Sequence, residues 1–344
     1  MTNSEESLMQ QTGILEVPSV YGSVRVDDPL IADLILHPTF QRLKGVHQYG
    51  VVPFILETEN YTRFDHSVGV YWLLKKNGAS RLEQAAGLLH DVSHTVFSHV
   101  GDYVFQDHYP GNSYQDDIHI WFLKESGLEE TLLKHGLTAE AVYHKNPEFI
   151  ALDRELPDLC ADRIEYNLQG GLLRGLIHPD SFPKVAASLK YEHKTWAFQD
   201  AESAALVGRC SLKMTETLWG APWEAIAYRF AADALKRSFQ IGLVTFTEFH
   251  FSTDELVWNK LKGSEDPYIK ECVDKMVQIH SSYSLCEKER ADKILYLKFR
   301  GIDPLVKVES GYAKLTDLDA DYKKEYVRVK ELMKKGWPIA FSSC

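Results

Sequence analysis

The sequence predicts a mainly α fold with a small N-terminal β-hairpin and a mixed α/β C-terminal region, and three observations carry that prediction. Residues 14–26 place β-branched residues on both sides of a Tyr21-Gly22 turn, which reads as a hairpin. From Asp28 to Leu168, apolar residues recur at helical spacing in segments opened by proline or a capping residue. In the last third, residues 294–299 and 305–308 have strand character among helical segments.

Taken in order, Asp28-Pro29 opens a short helix ending near His37, and Pro38 opens the next. Residues 63–76 form an amphipathic helix with Val68, Tyr71, Trp72 and Leu73 on one side. Helices over 81–90 and 95–103 follow, with the adjacent pair His90 and Asp91 near their junction. After a loop at 109–113, helical spacing resumes over 114–124 and again over 157–168. Pro179 and Pro183 bracket a boundary. Beyond it the pattern predicts a strand pair within 191–199 and two long helices over 203–219 and 222–240. The expected organisation is a disordered N-terminus over 1–12, a metal-binding core over 13–180, and a C-terminal helical and mixed α/β region over 181–344 packed on that core. There is no repeat, heptad seam or low-complexity tract.

A chain of 344 residues buries a substantial core. Its formal net charge of -11 disfavours nucleic acid and anionic bilayers as partners and leaves small anions as the fitting ligands. The first residues are acidic and polar, without the basic and apolar regions of a signal peptide, and no apolar run reaches membrane-spanning length, so the expected location is cytoplasmic. Five scattered cysteines without a CxxC pair are expected to be free thiols.

The residues that carry chemistry are His66, His90, Asp91, His94 and His99. A single His in an apolar setting is ordinarily a core residue with one satisfied hydrogen bond. Five metal-competent side chains beside apolar helices point instead to a metal site. Imidazole with carboxylate suits Mn, Fe, Co, Ni or Zn, and such an ion polarises phosphoryl oxygens and makes water a nucleophile at neutral pH.

The chain resembles the HD-domain phosphohydrolases, and within them the deoxynucleotide triphosphohydrolase-like branch that includes the mammalian SAM- and HD-domain enzyme. The likeness runs through Phe40-Gln41-Arg42-Leu43-Lys44, Gln48-Tyr49-Gly50, Thr62-Arg63-Phe64-Asp65-His66, Leu88-Leu89-His90-Asp91, Phe97-Ser98-His99 and Ala161-Asp162-Arg163-Ile164-Glu165-Tyr166. It implies an HD-domain helical core in which His66, His90, Asp91 and Asp162 hold a divalent transition metal, with Mg as a companion of substrate phosphates. It implies His94 and Asp102 as a proton-handling pair, and His99, Arg63, Arg163 and Tyr166 as phosphate contacts. It also implies Gln48 against a sugar, a nucleotide or other small phosphate ester as substrate, and a homo-oligomer for which Trp219, Trp223 and Phe230 offer apolar area.

Three positions depart from the branch. Gln115 stands where the branch carries a catalytic His, and His119, one turn further on, is the substitute proton donor. Gly170-Gly171 falls where the branch points an Asp toward the sugar. The basic cluster that grips nucleotide phosphates has only Arg229, Lys236 and Arg237 as counterparts. Two other readings stay open. One is a di-iron oxygenase with His94, His99 or His119 as further ligands, and the other is a non-catalytic nucleotide sensor.

Overall fold

The computed structural model describes residues 14–106 and 113–341. The disorder expected for 1–12 and most of the loop at 109–113 lie outside the described residues. The chain is mainly α and divides into two compact units. One takes in the described residues of Met1–Gly50, Tyr61–Asp153 and Thr245–Val257; the other takes in Val51–Asn60, Arg154–Val244 and the described residues of Trp258–Cys344.

The first unit opens with the expected hairpin, β1 (Leu15–Ser19) paired antiparallel with β2 (Gly22–Val26) in the register Leu15↔Val26. Leu15, Val17, Val24 and Val26 are buried. This is the alternation a half-buried ribbon requires. Gly22 sits at φ +94, where a side chain would be strained. Tyr21, beside it, stacks on Trp72 with ring centroids 4.1 Å apart, which pins the hairpin to helix Arg63–Lys76.

Asp28 caps helix Pro29–Leu36 by accepting from Leu30 N–H. Helix Arg63–Lys76 starts in a capping box, with Thr62 Oγ1 accepting from Asp65 N–H and Asp65 Oδ2 accepting from Thr62 N–H. Helix Arg81–Leu89 starts at the Ser80 cap and packs closely on it. Gly87 makes that approach possible, since a Cβ there would lie 2.3 Å from Leu74 Cδ1.

The helix expected over 95–103 is shorter than the periodicity indicates. Phe97 and Ser98 both adopt left-handed conformations, at φ 61 and 53, so residues 91–99 run as successive turns and the helix spans only Val100–Phe105. Helix Tyr114–Glu125 follows as expected.

In the second unit the helix expected over 157–168 spans Ala161–Leu173 instead. Arg163 explains the late start, because its guanidinium donates to the carbonyls of Asp158 and Arg154 and holds that stretch in turns. Helices Ala201–Met214 and Pro222–Gln240 match the two long predicted segments, the first running on into a π-turn at Thr215–Trp219. β3 (Leu189–Glu192) and β4 (Thr195–Phe198) form the expected strand pair, extended by β7 (Leu305–Val308) and β8 (Gly311–Lys314) in the order β3-β4-β7-β8. A second sheet has the order β5-β9-β6, from β5 (Tyr283–Leu285), β6 (Lys293–Leu295) and β9 (Trp337–Phe341). The strand predicted over 294–299 is thus confined to its first residues.

Cys160, Cys210, Cys272 and Cys286 are free thiols. Among the described residues no helix is long and apolar enough to cross a membrane.

Glu224, buried in helix Pro222–Gln240, yields a testable pH dependence. Burial pushes its carboxyl up to about 8, against the opposing charges of Arg300 and Arg174. The folded chain therefore holds a proton that the unfolded chain releases at about 4.5, and stability falls as pH rises from there through about 8. Glu224→Gln is expected to remove much of that fall, read as a smaller loss of Tm between pH 5 and pH 8.5.

Candidate metal centre

Three of the expected ligands converge within the first unit. His66 lies one turn into helix Arg63–Lys76, and His90 and Asp91 terminate helix Arg81–Leu89. All three are buried. The Nε2 atoms of His66 and His90 are 3.2 Å apart. Asp91 Oδ2 is 3.6 Å from His66 Nε2, and Asp91 Oδ1 is 3.5 Å from His90 Nε2. His90 Nδ1 lies 2.7 Å from the Gly87 carbonyl, which only accepts, so the proton sits on Nδ1 and Nε2 presents its lone pair to the cluster. That tautomer is the one metal ligation needs. Asp162 stands in the first turn of helix Ala161–Leu173 in the second unit.

Arg63 does not stand open to a phosphate. It is buried, and its Nη1 donates to Asp91 Oδ2 at 2.5 Å. Its Nε donates to Ser98 Oγ at 3.0 Å, and its Nη2 donates to the Gln48 carbonyl at 3.4 Å. Burial pushes the Asp91 carboxyl up, but Arg63, His90 and His94 outweigh it and hold the group well below the usual carboxylate range. Arg42 braces the following turn, with its guanidinium donating to the carbonyls of Val92 at 2.9 Å and His94 at 2.8 Å.

The proton-handling pair expected between His94 and Asp102 is made by other partners. His94 Nε2 faces Asp91 Oδ1 at 3.3 Å, and burial takes its imidazole down to about 3, leaving it neutral at pH 7. Asp102 instead pairs with His99, Oδ2 to Nδ1 at 3.0 Å, and accepts Tyr114 N–H at 2.7 Å. The reason lies in the chain path: the left-handed residues at 97 and 98 end the preceding turn, and His99 and Asp102 become neighbours one turn apart at the start of helix Val100–Phe105.

Gln115 is buried and accepts from Ser93 Oγ at 2.9 Å. His119 is also buried, with Nδ1 2.9 Å from the same hydroxyl, and burial holds its imidazole well below the ordinary value. Beside it His144, which the sequence reading passed over, packs its ring edge-on at 4.7 Å and bonds Asp116 at 2.9 Å. His94 Nδ1, His119 Nε2 and His144 Nδ1 are buried with no hydrogen-bond partner among the described residues.

Of the other expected substrate contacts, Gln48 follows His47 in the segment that bridges to Thr62, with a buried Oε1. Arg163 is committed to the carbonyls of its own unit described above. Tyr166 packs edge-on against Trp219 at 4.9 Å, and its phenol is pushed up to about 12 by burial. Trp223 donates to the Thr217 carbonyl, and Phe230 lies under the Lys275 ammonium. Arg42 stands in the Phe40–Lys44 motif, but its bracing role carried no sign in the sequence. Ser93, His144 and Asp254 carried no local signal.

No protein-family profile matches the chain. It is 29% identical over 276 residues to the metal-dependent phosphohydrolase cns2 of Cordyceps militaris, covering 78% of this chain and 79% of that protein. The deoxynucleoside triphosphate triphosphohydrolase SAMHD1 of Danio rerio is 29% identical over 141 residues, which is 34% of this chain and 22% of that protein. Among solved structures, a phosphohydrolase from Bacteroides thetaiotaomicron superposes with a TM-score of 0.70 at 17% identity, over 96% of this chain and all of that one (100%), a likeness of fold. The sequence likeness over most of the chain and the shared fold agree with the imidazole–carboxylate focus at His90-Asp91: this chain is similar to metal-dependent phosphohydrolases.

Proposed function

We propose that the protein hydrolyses a small phosphate ester, with a nucleotide as the substrate class, at a divalent transition metal held by His66, His90, Asp91 and Asp162. The single observation that carries this reading is the pair of buried Nε2 atoms facing each other beside Asp91, with the His90 tautomer set by Gly87. The donor set His66, His90 and Asp162 has the chemistry of such a site. Partial likeness to a deoxynucleoside triphosphate triphosphohydrolase and the chain's acidity favour a small anion over a polymer. When bound, the metal supplies Lewis acidity and lowers the pKa of water. Metal analysis of the purified protein, then a screen of nucleotides and phosphate esters with Mn²⁺, Mg²⁺, Co²⁺ and Ni²⁺, tests the reading; a protein that retains no metal and cleaves none of them rejects it.

Within this reading His99 and Asp102 take the role first expected of His94. The pair is half-exposed and joined at 3.0 Å, so it can reach a substrate from solvent, whereas His94 and His119 are buried and held neutral by that burial. Asp102→Asn is expected to lower kcat by roughly 10²- to 10⁴-fold with metal content unchanged. An unaltered kcat and pH profile would reject the assignment.

A second reading, a di-iron oxygenase, draws on the buried, unpartnered nitrogens of His94, His119 and His144. Two irons per chain with an oxo-bridge absorption would favour it; one ion with phosphatase activity favours hydrolysis. Homo-oligomerisation remains part of the proposal, and light scattering that returns the mass of one chain at micromolar concentration rejects it.

A further inference from the structure

We infer that Asp254 is a positioning residue for the metal ligands, acting through the left-handed turn at Phe97 and Ser98; this rests on the metal site proposed above. Asp254 is fully buried (0% exposed) and touches none of the proposed ligands of its unit in any contact described. Its two carboxylate oxygens are divided between two segments. Oδ1 accepts Phe97 N–H at 2.7 Å, and Oδ2 accepts His47 N–H at 2.8 Å. His47 Nδ1 lies 3.1 Å from the same Oδ2.

Phe97 and Ser98 both occupy the left-handed region, which costs an L-residue on the order of 1 kcal/mol each, so the turn persists only where other contacts hold it. The charge-assisted bond from Phe97 N–H is such a contact. It fixes where Ser98 Oγ stands. That hydroxyl donates to the His47 carbonyl at 2.6 Å and accepts from Arg63 Nε at 3.0 Å. Arg63 in turn holds Asp91 Oδ2. An unbroken chain of buried hydrogen bonds therefore runs from Asp254 through Phe97-Ser98 and Arg63 to the carboxylate beside His66 and His90. The stretch just before that turn is held by Arg42 on the Val92 and His94 carbonyls, and Asp254 is the carboxylate whose charge favours the buried Arg42 cation.

Partners that orient ligands typically govern metal affinity by 10- to 100-fold. Asp254→Asn puts an amide NH₂ against one of the two N–H donors, and Ser98→Ala removes the link to Arg63 while keeping Cβ. Both variants, as full-length protein stripped of metal, are titrated with Co²⁺ against a chelator, following the visible d–d absorption, with Tm measured alongside. The expected result is a loss of Co²⁺ affinity of about tenfold or more in each, with an altered d–d band shape that a general loss of stability would not produce. Wild-type affinity and band shape in both folded variants would overturn the inference. If Asp254→Asn fails to fold, Ser98→Ala decides the matter by the same criteria. If the wild-type chain itself binds no Co²⁺, the metal site fails and the inference with it, an outcome distinct from intact binding in the variants.

Discussion

His90→Ala is expected to yield a folded protein that retains no metal after gel filtration and has no phosphohydrolase activity. Two features make this the sharpest substitution. His90 Nε2 stands 3.2 Å from His66 Nε2, so its removal breaks the focus on which the site depends. The structural cost includes one buried hydrogen bond, from Nδ1–H to the Gly87 carbonyl, and the small cavity left behind, together a loss of roughly 1–3 kcal/mol. Elemental analysis beside a thermal melt checks both halves. Stoichiometric metal in the variant would remove His90 from the ligand set.

Asp91→Ala is expected to lose metal as well, and in addition to destabilise the metal-free chain by roughly 3–5 kcal/mol, because it leaves the buried Arg63 guanidinium without its carboxylate. His90→Ala and Asp91→Ala are therefore expected to differ in their cost to the fold. The 2.5 Å ion pair, 3% and 6% exposed on its two sides, separates them. Chemical denaturation in the presence of a chelator measures the difference, and Arg63→Met added to Asp91→Ala is expected to recover much of the loss by removing the orphaned charge. Equal stability of the two single variants would show that Arg63 finds another partner. Asp91 also sets an acid limit: its contribution is complete above the ordinary carboxylate value of 3.8 and disappears as pH falls through its depressed folded value.

Much of the architecture was legible from local rules. The hairpin, the Pro and Asp helix starts and the helix carrying His66 follow from turn residues, caps and apolar spacing, which act over a few residues. The convergence of His66, His90 and Asp91 was legible because their residue types are rare beside apolar helices. The pairing of Asp102 was misread for a physical reason. Apolar periodicity extends a helix back to Thr95, and nothing in the letters Phe97 and Ser98 signals a positive φ that long-range contacts impose. Arg63 looked like an exposed phosphate grip because its partners Asp91 and Ser98 are 28 and 35 residues away along the chain. Asp254 was invisible for the same reason, 157 residues from the turn it holds.

That separation has a consequence for the growing chain. A ribosome releases His66, His90 and Asp91 long before the Thr245–Val257 segment that completes their unit. The ligand segments therefore exist for much of translation without the carboxylate that anchors their turn, and a unit closed by so late a contact forms slowly because its loop entropy must be met first. Contact with Asp254 makes the order of events asymmetric: the donors are made early, their geometry late. At the proposed metal site, an ion arriving before residue 254 would meet ligand segments whose turn is not yet anchored, which would put loading after synthesis of about the first three-quarters of the chain.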